Sequence, residues 1–375
     1  MHIHSAHSLQ TFFRNELNEL YLSMALRSFS FSLVGIFVPI YLLTKGYALE
    51  QVFWFLCLTH AVHALFAYPA AHVALRWGSA IGASASIPFF LIFYALLYVI
   101  DGPHWPLWLL ALFAGIGNPL FWIAYHFDFI SCSHGTSRGQ EVGMMKLTNA
   151  VATAGAPLLG AWIIVTGGFH SLLIVTTIIF VISSIPLFFL KQRMFTEPVR
   201  FFDVFHHQSL RNNIVFLGHG LDQALAGTVW PLFLFVVIAQ SYEFIGIATT
   251  IASLFSFAAI IIIGKMSNNH ARGILVAGGM STSLLWIVRL LWVKTSIVAY
   301  VTNALGGFIS SMVVVPFSTL LYNKSQKQHS CHALITIESL FHVGQIGLYA
   351  FLALTASFWG AFLLGVLMPV VYFIF

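Results

Sequence analysis

Arg27, His219 and Asp222 stand in stretches of sequence that are otherwise apolar. An ionisable side chain at membrane depth is costly, and by default it marks a functional site. His219 and Asp222 are three residues apart, so one helix face carries both. Asp222 is a candidate proton carrier or cation ligand whose protonation depends on whether Arg27 is near, with His219 tuning it. The alternative is an Arg27–Asp222 pair that only holds two bundles together, although a permanent buried pair is weak support for stability.

Asn118, Trp122 and Tyr125 recur at i, i+4, i+7 and so form one stripe, with Pro119 inside it able to free a carbonyl. An amide and two aromatic rings suit a small organic solute that needs stacking and hydrogen bonds; helix packing is the competing use. Asn303, followed by Gly306 and Gly307, adds a second-half contributor where a ligand could approach the backbone. Glu338, His342 and Gln345 repeat the i, i+4, i+7 spacing. Glu338 is a candidate for proton coupling, with a gating latch to Lys324 or Lys327 as the alternative. Asp128 is expected to be a solvated partner of Arg138, and Arg289 to snorkel at the outer end of its span. His60 and His63 could occupy two positions on a metal, but no acidic or cysteine neighbour stands near them in sequence, so packed neutral histidines and no metal are expected. His2, His4 and His7 could chelate a transition metal weakly on a terminus that more often does nothing measurable.

The elements that must position these groups follow from composition. With 59% hydrophobic and 7% charged residues, the 375-residue chain cannot cover a water-soluble globule, since soluble domains carry about 25% charge. Long unbroken apolar runs select helices, each satisfying its own backbone in lipid. Six runs are expected in the first half, at Leu20–Thr44, Gln51–Leu75, Ala80–Ile100, Pro106–Phe127, Leu147–Val165 and Phe169–Leu190. Six follow in the second, at Ile214–Ile238, Phe244–Ile263, Gly273–Val293, Ser296–Tyr322, Ala333–Thr355 and Phe358–Phe375. Between them lies the longest polar interval, so residues 1–190 and 212–375 are expected to form two bundles joined by a cytoplasmic linker at 191–211. The polar start lacks the order of a cleavable signal peptide.

Basic residues set the orientation. With the N-terminus cytoplasmic, twelve Lys and Arg, Lys146 among them, fall in inner segments, and only Lys45 and Lys294 fall outside. Positive charge stays inside, so both termini are expected in the cytoplasm, at a prokaryotic inner membrane. The pI near 9.1 then reflects topology, and no nucleic-acid partner is expected. Three cysteines, with Cys132 and Cys331 in or beside inner loops, fit reduced structural thiols. Neither a phosphate-binding loop, a dinucleotide fingerprint, a zinc-protease motif nor a nucleophile elbow occurs, so ATP cannot drive the protein directly and no cofactor is expected.

Three features repeat at nearly constant offset. Val38-Pro39-Ile40-Tyr41-Leu42 returns as Trp230-Pro231-Leu232-Phe233-Leu234 after 192 residues, and the segment at Ala71–Gly78 returns at Gly264–Ala271 after 193. Glu141, opening the fifth span, has Glu338 as its counterpart 197 residues on. A duplicated six-helix unit in parallel orientation explains all three.

At these positions the whole chain resembles the major facilitator superfamily. The family's Gly-x-x-x-Asp-Arg-x-Gly signature between helices two and three survives here as Arg76 and Gly78, with Ala71 and Leu75 in place of the first Gly and the Asp. Its echo between helices eight and nine keeps Gly264 but has Asn268 for the Asp, Asn269 for the Arg and Ala271 for the second Gly. The resemblance implies gating by Arg76, Gly78, Glu141, Gly264 and Asn268, without the acidic latch. Ala156-Pro157 with Gly160-Ala161 is similar to a glycine-rich motif of family exporters, although such seams also serve plain packing. It further implies a path lined by helices one, four, seven and ten, and a secondary transporter that rocks two bundles around a small-molecule site at Arg27, Asn118, Trp122, Tyr125, His219 and Asn303. Proton coupling at Asp222 and Glu338 is expected with it, and a lipid environment. A non-transporting sensor or assembly subunit on the same scaffold is the alternative. A lipid-modifying enzyme using Glu141 and His126 is weaker still, and no enzyme is expected.

Overall fold

A computed structural model describes residues 16–132, 138–189, 209–327 and 330–375. The expected linker therefore lies outside the described residues except for its last three positions, as do the side chains of Glu141, Arg138 and Asn268. The first-half helices are α1 (Glu16–Val34), α2 (Phe37–Thr44), α3 (Leu49–Trp77), α4 (Ser79–Val99), α5 (Leu107–Cys132), α6 (Arg138–Thr153) and α7 (Ala156–Ile182). The second-half helices are α8 (Leu210–Ala224), α9 (Trp230–Phe233), α10 (Tyr242–Trp292), α11 (Ser296–Lys327), α12 (Ser330–Thr355) and α13 (Phe358–Leu367). No strand occurs among the described residues.

Local sequence explains where the helices break. Gly78, at φ 91°, makes the turn from α3 into α4, in a conformation that an L side chain rarely adopts. Gly168, at φ 78°, interrupts α7, and His270 interrupts the 51-residue α10. A straight helix of that length would run about 77 Å, more than twice the hydrocarbon thickness of a bilayer. Ser209, Ser241 and Ser357 cap the starts of α8, α10 and α13, each accepting a backbone N–H through its hydroxyl. Around α9 the helix widens into π-turns at Leu225–Val229 and Leu234–Ile238. Pro231 has no N–H to give, and the wider turns accommodate the missing bond.

Ten helical segments among the described residues are long and apolar enough to cross a membrane. One of them, Met144–Phe188, runs for 45 residues through the Gly168 break, and a shorter apolar helix closes the chain at Phe358–Ile374. The chain is an integral, multi-pass membrane protein.

The halves meet along two seams. Along the first, α3 packs on α12; along the second, α6 and α7 pack on α10. At the end where α2 finishes and α3 begins, one apolar cluster runs through both halves. There Phe37 meets Tyr242 at 5.9 Å, Phe53 meets Phe358 at 6.0 Å, and the Thr44 and Tyr242 hydroxyls lie 3.4 Å apart. Gly246 lets α10 approach α7 closely, since a Cβ there would stand 2.5 Å from the Ala161 Cβ. Gly160, on the same stretch, abuts the Leu33 backbone, so the small residues from Ala156 to Ala161 are a packing seam. Toward the opposite end, the buried apolar side chains divide into three separate clusters. One end of the molecule is thus closed by packing that runs continuously across both halves.

Candidate functional site: two cavities between the halves

Two cavities of about 430 and 420 Å³ lie side by side, and Lys146 and Gln223 line both. The sequence places Lys146 in an inner loop; it stands instead within an apolar helical span, on α6. Asn149 and Thr153 line the larger cavity with it, at the i, i+3, i+7 spacing of one helix face. That polar stripe is the signal that could have placed Lys146 in the interior.

Asp222, Arg289, Asn303, Trp230 and Trp286 line the larger cavity. Arg289 is buried and does not snorkel: its guanidinium lies 4.1 Å from the Trp230 ring centre and 4.6 Å from that of Trp286, and it donates to the Thr302 carbonyl at 3.2 Å. Trp230 in turn donates Nε1–H to Asn303 Oδ1 at 3.2 Å, while Asn303 donates to the Ala299 carbonyl at 2.8 Å. Gly306 is small because Arg289 passes over it, and a Cβ there would stand 2.7 Å from the guanidinium. The cations that line this cavity with Asp222 are Arg289 and Lys146. Asp222 also accepts from the Tyr372 hydroxyl at 3.4 Å, and the same hydroxyl lies 2.7 Å from His219 Nδ1. His219 and Asp222 thus do share a face, joined through a tyrosine that sequence spacing could not supply.

The expected Arg27–Asp222 pair does not form. Arg27, 2% exposed, sits in the first half among the rings of Phe121, Phe180, Phe90 and Phe31, at 3.8, 4.5, 5.2 and 5.3 Å. It lines neither cavity. The four rings come from four different helical segments, so spacing within the first span carries no information about three of them. The stripe on α5 also divides. Asn118, Trp122 and His126, at i, i+4, i+8, line the smaller cavity, while Tyr125 turns away and stacks between Phe121 and Phe129.

Glu338 overturns the expectation for the histidines of the second span. It meets His63 at 3.6 Å, His126 at 2.9 Å and His342 at 3.7 Å, all in the smaller cavity. His60 Nδ1 lies 2.7 Å from His342 Nδ1, which is 3.1 Å from Gln345 Oε1. The acid that His60 and His63 lack in sequence arrives along the α3–α12 seam, 275 positions after His63. His126, which sequence proximity pairs with Glu141, binds Glu338 instead. Asp128 is buried, not solvated, and accepts from the Ser79 hydroxyl at the start of α4. Arg76 is exposed beside Trp77, and Gly264 has open space around it.

Neither a family model nor a curated protein sequence matches the chain. Solved structures do. The chain is similar to a major facilitator superfamily transporter, FucP, in the outward conformation, at a TM-score of 0.71 and 12% identity over 96% of this chain and 97% of that one. The chain has the major facilitator fold. Likewise similar are the human organic anion transporter MFSD10 (TETRAN), at 0.68 and 11% over 96% and 97%, and a single-residue variant of the E. coli fucose:proton symporter FucP, at 0.69 and 12% over 97% and 98%. In this fold the two cavities lie between the halves, flanked by the two seams.

Proposed function

We propose that the protein is a secondary active transporter that moves a small solute by alternating access, with twelve spans in two six-helix bundles, 1–190 and 212–375, joined by the 191–211 linker. The observation that carries this reading is the pair of cavities meeting at Lys146 and Gln223 between halves that are packed together beyond one end of the cavities. Counting Met144–Phe188 as two crossings and Phe358–Ile374 as one supports the twelve spans. The charge asymmetry favours cytoplasmic termini in a prokaryotic inner membrane, and the closed end is then the outer one.

The solute is a zwitterion, or an anion with a further polar group. Lys146 and Arg289 offer positive charge to a carboxylate or phosphate, Asp222 offers a counter-charge to an ammonium, and Trp230, Trp286 and Asn303 supply ring faces and an amide. Binding would draw the halves together, and a proton on Asp222 would change its hold on Arg289 and so shift the balance between the two states. Proton coupling has a parallel in the fold neighbour described as a fucose:proton symporter. Arg27 holds helices together in this reading and binds no solute.

The test is proton flux and accumulation in proteoliposomes challenged with amino acids, sugars, organic acids and cationic drugs. A solute-dependent proton current that Asp222→Asn abolishes while exchange persists is the expected result. Uptake driven by a pH gradient and unchanged in that variant would remove Asp222 from coupling, and solute bound without any flux would favour a sensor on this scaffold.

A further inference from the structure

We propose that His63, Glu338 and His342 form a binding site for a divalent transition-metal cation of the zinc class, bridging α3 and α12. The three donor atoms lie within 4.8 Å of one another in the smaller cavity. The separations from Glu338 Oε2 to His63 Nε2 and His342 Nε2 are 3.6 and 3.7 Å. Those distances exceed the usual N–H···O range of about 2.7–3.2 Å. They are close to the edge of about 3.4 Å in a tetrahedron whose ligands stand about 2.0–2.1 Å from a central zinc; the His63 and His342 rings pack with centres 3.4 Å apart, so one of them has to swing for both Nε2 atoms to face the same ion.

Hydrogen bonding points the same way. His63 Nε2 is buried and has no hydrogen-bond partner, although its residue is only 2% exposed. A buried polar atom left unpaired is rare enough to require a reason, and a metal supplies one. The surrounding groups occupy the places that outer-shell partners take around a metal. His342 Nδ1 has Gln345 Oε1 at 3.1 Å and His60 Nδ1 at 2.7 Å, which leaves its Nε2 facing the carboxylate. His126 Nε2 donates to the other carboxylate oxygen, Oε1, at 2.9 Å, and so turns Oε2 toward the two histidines. Two imidazoles and one carboxylate leave a fourth position open to the cavity. Since His63 comes from the first half and Glu338 and His342 from the second, a bound ion ties the two halves across one seam. This site is independent of the transport reading: its test reads metal, not flux.

The experiment is titration of the full-length protein in detergent with Co²⁺, read by the intense visible absorption of a tetrahedral ion, and with Zn²⁺ in competition. His2, His4 and His7 are replaced by alanine in the reference protein to remove adventitious chelation. One equivalent of tetrahedral Co²⁺ is expected. Glu338→Gln and His342→Ala should weaken it by more than about 100-fold, and Gln345→Ala by about 10-fold, the range of outer-shell losses. A reference protein that binds no Co²⁺, or variants that bind it unchanged, would overturn the site. Should the ligand variants fail to fold, X-ray absorption of the Zn²⁺-loaded reference decides: a shell with two imidazoles and a carboxylate supports it, and a sulfur-containing or all-oxygen shell refutes it.

Discussion

Gly246→Ala is the perturbation that bears most directly on alternating access. The new Cβ would stand 2.5 Å from the Ala161 Cβ and 2.9 Å from the Pro157 carbonyl oxygen, across a seam between the halves. Overpacking of this kind costs about 1–3 kcal/mol. If the sealed end can open, the strain is relieved by opening it, and a coupling of about 1–3 kcal/mol moves a two-state balance by about 5–150-fold. Cys57 is a native reporter on the other seam, buried with its Sγ 3.9 Å from the Ile346 carbonyl. In a background carrying Cys132→Ser and Cys331→Ser, its alkylation should accelerate by that factor in Gly246→Ala. Gly278→Ala is the control, because its Cβ would meet the Met312 backbone at 2.9 Å inside the second half. It should lower the melting temperature without exposing Cys57. A Gly246→Ala protein that is destabilised yet alkylates Cys57 at the original rate would refute rigid-body opening at this end.

Two further substitutions separate cavity groups from packing groups. Arg27→Met should leave the affinity of any cavity ligand within about twofold, as expected for sites that share no partner and couple by less than about 0.5 kcal/mol; a tenfold loss by calorimetry would return Arg27 to the binding site. Tyr372→Phe removes the hydroxyl between His219 and Asp222 and leaves buried polar atoms short of a partner, at about 1–3 kcal/mol. Lower thermal stability in detergent checks it, and an unchanged melting temperature would mean that the hydroxyl contributes nothing there.

Much of the architecture can be read from the chain itself because lipid imposes it. Apolar runs, the breaks near Gly78 and Gly168, and the recurring offset near 192 all follow from spanning a bilayer with helices and from duplication. Side-chain addresses are less accessible. The α5 stripe fixes Asn118 and Trp122 on one face, but a helix has no stated zero of rotation, so whether Tyr125 or His126 shares the cavity depends on what α5 packs against. Lys146 reads as a loop residue because the apolar run begins at Leu147, and a long amphipathic side chain one residue before that run is compatible with either side of the boundary. Of the histidine partners of Glu338, His342 stands four residues on in its own span, but His63 and His126 are invisible from there, because they come from the other half of the sequence.

The two buried arginines make the distinction sharpest. Both stand in apolar spans, both lie against aromatic faces, and intramembrane charge alone ranks them equally. Arg27 is ringed by phenylalanine faces and lines neither cavity, so its surroundings hold a cation away from any cavity ligand. Arg289 lies against Trp230, whose indole N–H binds Asn303 on the cavity wall, and it lines that cavity together with Asp222. In the proposed function, a solute or proton arriving there would alter contacts that extend across α8, α10 and α11. Buried charge marks where folding tolerated an expense; whether it does chemistry depends on whether its neighbours can hydrogen-bond, titrate or meet a cavity, and on those grounds the proposed solute site is built on Arg289 rather than Arg27.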